Sequence, residues 1–215
     1  MKKNIITLSL ESLLNANAHL GEKTTVRHPD QSVRILAYKG NKDLINLEKT
    51  LEDLRPALQI ITETVANREQ VLVIAQNNVS ENGFETIVTK ENINEFLKTV
   101  AAFPQPIITG RWVYGALSNF KTTRFSKKNS VKEIPNAVIL LYTNAGDLIL
   151  NETKFLGIPT ITIQQTTENP HKSQYSILTN KNELKTTTLL LQLFAKATYY
   201  GYAKQILKFK QRRKN

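Results

Sequence analysis

Arginine, lysine and aromatic residues are interleaved between Gly110 and Arg124, in the stretch GRWVYGALSNFKTTR, with no acidic residue among them. Arg111, Lys121 and Arg124 can neutralise phosphates, and the rings of Trp112, Tyr114 and Phe120 can stack on unpaired bases, worth about 1–3 kcal/mol per base where it happens. Gly115 lets the backbone pass close to a partner. The same residues admit a plainer reading in which Trp112 and Phe120 are core side chains beside a turn. The continuation favours nucleic acid: Phe125, Ser126, Lys127 and Lys128 follow, then Lys132, before the first carboxylate at Glu133. A merely solvated face would mix signs.

Other chemistries find little support. The chain has no cysteine, which excludes disulfides, thiolate metal sites and cysteine nucleophiles. Its histidines, His19, His28 and His171, are widely spaced and form no HxxxH or HExxH pair, so neither a metal nor a cofactor is expected. The GEKTT segment at Gly21 lacks the earlier glycine and the adjacent Gly-Lys of a phosphate loop. The net charge of +11 and pI of about 9.7 point to a polyanionic partner. The longest apolar runs, such as Ala137 to Tyr142, fall short of the roughly 20 residues a helical span needs, so no membrane is expected.

The 215 residues, 40% of them apolar, suffice for one α/β domain with its own core. Ser9 or Ser12 caps a short first helix carrying Leu10, Leu13 and Leu14, and a turn is expected at Gly21. His19 to Pro29 reads as an irregular loop exposing Lys23, Arg27 and His28. Val33 to Leu36 is a short β-like run closed by Gly40-Asn41. Asp43 to Arg68 reads as a helix with Leu44, Leu47, Leu51, Leu54, Leu58 and Ile61 on one stripe, kinked or split at Pro56. Val71 to Ala75 is a buried strand; a polar loop through Asn77 and Gly83 and a helix from Glu91 to Ala102 come next. Ile107-Ile108, Ala137 to Tyr142 and Thr160 to Ile163 are further strands. Asp147 to Leu156 is a helix stopped by Gly157. The chain ends in a polar loop, Gln164 to Pro170, and a long helix from Asn182 to about Lys208, with Leu190, Leu193, Phe194, Ala197 and Gly201 as its apolar stripe. The alternation predicts a three-layer α/β/α doubly wound, flavodoxin-like, mostly parallel sheet, with ligands at the carboxyl ends of its strands. It is organised as a single unit over residues 1–210 and a basic tail over 211–215. From Lys181 onward nine basic residues face one carboxylate, ending in Arg212, Arg213 and Lys214. Such a tail tracks a nucleic-acid backbone or is simply a solvated end.

Several separate segments together resemble the S2 family of small-subunit ribosomal proteins, bacterial and organellar type, nearly end to end. Leu13-Leu14, His19, Gly21, Thr24 and Pro29 follow the order of that family's opening. Asn41 to Thr50, NKDLINLEKT, is similar to its "NGIHIIDLQKT". Arg111 to Thr122, RWVYGALSNFKT, is close to its most distinctive motif, "RWLGGMLTNFKT". Pro135 to Val138 resembles its "PDA" strand entry, and Leu156 to Ile163 its "LGIPVIAI". The resemblance implies a structural, non-enzymatic constituent of the small subunit that binds ribosomal RNA and neighbouring ribosomal proteins, with no homo-oligomer. With the basic pattern, it marks Lys23, Arg27, His28, Arg111, Trp112, Asn119, Lys121, Thr122, Arg124, Lys127, Lys128, Arg212, Arg213 and Lys214 as RNA contacts. A free-standing RNA-binding regulator and a nucleotide-using enzyme are the other classes such a chain can serve.

This sequence also departs from the family. The long helical hairpin that follows the family's "NFKT" is missing, since only Phe125 to Glu133 separate Arg124 from the next strand. A partner of the S1 family, held near that hairpin in bacteria, is therefore expected to be absent or replaced. The loop Gln165 to Pro170 replaces "DTNCDP", and Ser176 to Lys181 lacks the prolines and glycine of "PIPGND". Lysine outnumbers arginine, and asparagine and isoleucine are abundant, as in an A+T-rich genome. The expectation is a reduced mitochondrial member, in the mitochondrial matrix, with a bacterial or plastid ribosome as the alternative.

Overall fold

Five runs rich in β-branched and other apolar residues set the architecture by forming one parallel sheet. The computed structural model describes residues 9–75, 104–108, 112–120, 131, 133–142 and 146–212. The strands are β4 (Val71–Ala75), β5 (Ile107–Ile108), β6 (Ala137–Tyr142), β7 (Thr160–Gln164) and β8 (Tyr175–Leu178), in the order β5-β4-β6-β7-β8. All four pairings are parallel. Because side chains alternate along a strand, the sheet divides its apolar residues between two faces. Val71, Val73 and Ala75 join Ile139, Ile161 and Ile177 on one face, while Leu72, Ile74, Val138 and Leu140 lie on the other.

Helices cover both faces. Helix α2 (Leu47–Ala66) and the terminal helix α4 (Leu184–Arg212) lie on the first, burying Leu54, Ile61, Leu190 and Phe194. Helix α3 (Gly146–Phe155) lies on the second through Ile149, together with Trp112, Leu117 and Val131. Gly157, at φ 69°, ends α3 in the left-handed conformation that favours glycine. Helices α2 and α4 run alongside each other, and the Thr62 hydroxyl donates to the Ala197 carbonyl at 3.3 Å. Gly201 of α4 faces α2 at close range. A Cβ there would lie 2.8 Å from both the Thr62 carbonyl oxygen and the Val65 Cβ.

The amino-terminal part differs most from the sequence reading. Helix α1 (Leu10–Asn15) is capped by the Ser9 side chain, as expected, and buries Leu13 while leaving Leu10 and Leu14 exposed. The turn precedes Gly21: Asn17 takes φ 59°, and Gly21 lies in β1 (Leu20–Lys23). A side chain at Gly21 would press on Asp43 and Thr166, each 3.0 Å away, so this glycine provides close approach rather than a turn. His19 to Pro29 is not irregular, since β1 is followed by a 3₁₀ turn at Thr24–Val26. A second 3₁₀ turn, Pro29–Arg34, contains Val33, and β2 (Ile35–Lys39) begins only after it.

Asp43 to Ile45 is strand rather than helix, within β3 (Lys42–Ile45), which pairs antiparallel with both β1 and β2. Leu44 stands at helical spacing from Leu47, but the two pairings on either side of β3 win over that periodicity. The helix begins after Asn46, whose side chain accepts the Glu48 N–H at 3.0 Å. Pro56 does not split α2, which continues through it with Leu54, Ala57 and Ile61 all buried and Pro56 itself exposed. Strand β8 was not recognised in sequence. The polar loop after Val71–Ala75 and the helix expected from Glu91 lie outside the described residues.

Replacing Gly201 by alanine tests the helix crossing. Alanine is intrinsically better than glycine in a helix by about 1 kcal/mol, whereas overpacking typically costs about 1–3 kcal/mol. With a backbone oxygen and a β-branched carbon as the obstacles, the clash should win. The urea midpoint of Gly201→Ala is expected to fall; a midpoint at or above that of the parent chain would show that the helices separate at no cost.

Candidate nucleic-acid interface

The segment richest in RNA-type residues is organised by a residue that lies outside it. Glu152, on α3, is buried, and its carboxylate faces the loop 112–120. Its Oε1 accepts the Trp112 indole N–H at 3.2 Å and the Gly115 N–H at 2.9 Å. Its Oε2 accepts the Leu117 N–H at 2.9 Å and the Ser118 N–H at 3.3 Å. A buried carboxylate is costly unless its lone pairs are satisfied, and four donors satisfy this one. The loop closes further through Ala116 N–H to Val113 O at 3.1 Å and Asn119 N–H to Gly115 O at 2.8 Å. Gly115 takes φ 78°, which brings its own N–H and those beyond it round toward one point.

This arrangement divides the motif. Trp112, Ala116 and Leu117 are buried and Phe120 packs against the same core, while Val113, Tyr114, Ser118 and Asn119 are exposed. The reading of Trp112 as a base-stacking surface is thereby corrected: only 6% of it is exposed, and its N–H is held by Glu152. Its role is to fix the loop. Among the described aromatics of the motif, Tyr114, 78% exposed, is the ring presented outward. Sequence reasoning missed Glu152. Its signal was an acidic residue on the apolar stripe of α3, beside Ile149 and Thr153, all three buried.

The second basic segment is clasped to the carboxyl end of β7. The Glu22 N–H donates to Thr166 Oγ1 at 3.2 Å and the His28 N–H to Thr166 O at 2.9 Å. Buried Gln31 reaches Gln164 Oε1 at 3.4 Å and Glu168 O at 3.0 Å. Arg27 is not a free cation, since its guanidinium lies 3.0 Å from the fully buried Asp43 carboxylate. His28 Nδ1 accepts the Asp30 N–H, and His28 is partly buried. Lys23, at the end of β1, is exposed. Arg212 is the last residue of α4. Arg111, Lys121, Thr122, Arg124, Lys127, Lys128, Arg213 and Lys214 lie outside the described residues.

At the carboxyl ends of β6 and β7 there is an open cleft of about 580 Å³, lined by His28, Asp147, Gln164, Glu168, Lys172 and Lys181 among others. Its lysines are engaged, Lys172 with Asp147 at 2.7 Å and Lys181 with Glu168 at 3.0 Å. Such a lining, with both signs paired, is not built to hold a free anion. No group of metal-ligating side chains occurs among the described residues, and no described helix is long and apolar enough to cross a membrane.

A family model described as ribosomal protein S2 matches residues 13–133 and 123–201. Among curated proteins, the small ribosomal subunit protein uS2 of Bartonella tribocorum is 25% identical, the match covering 92% of this chain and 84% of that protein. The uS2 proteins of Bartonella quintana and Francisella philomiragia are each 24% identical, over 92% and 87% of this chain and 87% and 90% of theirs.

Glu152→Gln should unfasten the loop. The amide keeps one acceptor and turns an NH₂ group toward backbone N–H donors, so a loss of about 2–4 kcal/mol is expected. Trp112 is the only tryptophan, so its emission reports this site alone. A red shift should accompany faster amide exchange at Gly115, Leu117 and Ser118, whereas Tyr114→Ala should change stability by no more than about 0.5 kcal/mol. Unchanged exchange in Glu152→Gln would remove the carboxylate from this role.

Proposed function

Because the chain belongs to the ribosomal protein S2 family, of the bacterial type, we propose that it is a structural constituent of the small ribosomal subunit, binding ribosomal RNA and neighbouring subunit proteins. The observation that carries this is the extent of the match, which runs from residue 13 to residue 201 and includes the loop that Glu152 fastens. No substrate is transformed. The protein contributes a rigid, positively charged surface, and phosphate contacts position it without requiring a readable groove.

Both kinds of partner find matching surface. For RNA there are the exposed Lys23, Tyr114 and Asn119 and the high positive charge, together with the proposed contacts Arg111, Lys121, Thr122, Arg124, Lys127, Lys128, Arg213 and Lys214. For protein neighbours there is the end of α4, where Tyr199, Tyr200, Ile206, Leu207 and Phe209 stand between 45% and 56% exposed.

We read the fold as flavodoxin-like and doubly wound, because the parallel strands, numbered within their own sheet, run 2-1-3-4-5. We also read residues 1–210 as one unit with a short basic tail. The finer assignment, a reduced member of the family in a mitochondrial ribosome, rests on the lysine-, asparagine- and isoleucine-rich composition and on the short connection between Arg124 and Glu133. The relatives named above are bacterial, which keeps a bacterial or plastid ribosome as the alternative.

Sedimentation decides the main reading. The tagged chain should migrate with small subunits and stay with them through a high-salt wash, in the mitochondrial fraction for the finer assignment. Release by moderate salt with no loss of subunits would favour a free-standing RNA-binding regulator, since contacts made only through phosphates weaken steeply with salt.

A further inference from the structure

The amino-terminal sheet places three lysines in one row. Lys42 on β3 stands directly opposite Lys23 on β1 and directly opposite Lys39 on β2, in the strand order β1-β3-β2. Directly opposed residues share a face of the sheet and like charges there repel, so the row costs stability. With strands about 4.7–4.9 Å apart, the three stems span roughly 10 Å. All three residues are exposed, and none has an ion pair among the described residues. The carboxylates nearest in sequence are occupied: Asp43 by Arg27, and Glu22 by the Asn182 amide.

Two features separate this row from ordinary surface lysines. Lysines on edge strands are a common device against unwanted strand pairing, but Lys42 is on the central strand, where there is no edge to guard. The tip is also held in shape. Gly40 takes φ 63° in the β2–β3 turn, and Thr24 is tied to Asn41 by side chain at 2.9 Å and by backbone at 3.1 Å. A fixed row of unneutralised charges lowers the ordering cost when a line of phosphates is bound.

We infer that Lys23, Lys42 and Lys39 form a phosphate-backbone contact for ribosomal RNA, at a site that extends the basic surface beyond the motif loop. The inference rests on the ribosomal reading above and adds to it a specific place of contact, in which Lys39 and Lys42 are new members. The row neutralises successive phosphates on one strand and carries no base specificity.

The test uses small-subunit particles from cells depleted of this chain, with purified protein added back across a range of potassium chloride. The variant Lys23→Gln/Lys39→Gln/Lys42→Gln should lower the slope of log K against log salt by about 2–3, at roughly 0.7–0.9 per lost phosphate contact. A control, Lys154→Gln/Lys185→Gln/Lys196→Gln, removes the same charge at exposed positions on α3 and α4 and should keep most of the slope. Because the chain has no cysteine, Lys39→Cys offers a single thiol for a tethered hydroxyl-radical source, which should cut the RNA strand nearby. Equal losses in the two triple variants would reduce the row to bulk charge and overturn the proposal. So would cleavage of neighbouring protein with no cut in RNA. Failure of the parent chain to join the particle would instead overturn the ribosomal reading, and the row with it.

Discussion

One buried carboxylate holds the functional motif in shape. Glu152 accepts hydrogen bonds from a side-chain N–H and three backbone N–H groups of the loop 112–120, and no other described side chain ties so many of that loop's donors together. A loop of this kind would otherwise leave N–H groups unpaired beside the core, which is costly. Placing one anion at their focus turns the cost into a fixed geometry, with α3 as its support. The apolar half of the motif then drops into the core, and the polar half faces outward without having to be ordered by its partner.

Charge elsewhere is arranged by contrast rather than by excess. At the carboxyl ends of the strands, where such folds commonly bind ligands, lysines are matched to carboxylates and the cleft is close to neutral. Arg27 is likewise spent on Asp43 inside the structure. Lys23, Lys39 and Lys42, which have no ion pair among the described residues, stand instead on the small antiparallel sheet. A scaffold that can host small-molecule chemistry is used here as a shaped, charged block, and fold alone did not decide that.

The sequence made the parallel sheet legible where burial on both faces left a continuous apolar run, as in Val71–Ala75 and Ala137–Tyr142, and at Thr160–Gln164 through its alternating β-branched threonines and isoleucines. Strand β8, Tyr175–Leu178, was illegible because Ser176 interrupts its apolar residues and it begins with a half-buried tyrosine. The small antiparallel sheet was hidden for a different reason. Its Gly40-Asn41 turn could be read, but Leu44 stood in phase with the helix that follows, and only pairing with β1 and β2 shows it to be strand. At the motif, residue types suggested stacking rings, yet which rings are outward depends on Glu152, 40 residues after Trp112. Hydrogen bonds over such separations leave no local periodicity to read.

The pairing of α2 with α4 joins the early part of the chain to its last helix, through a hydrogen bond spanning 135 positions. During synthesis, the apolar stripe of α2 emerges long before Leu190, Phe194 and Ala197 exist to cover it. Such distant contacts form late, and nascent surfaces of this kind are where misassociation begins. Without α4, that face of the sheet would have α2 alone to cover it, and the apolar residues that Leu190, Phe194 and Ala197 bury would stand open to water.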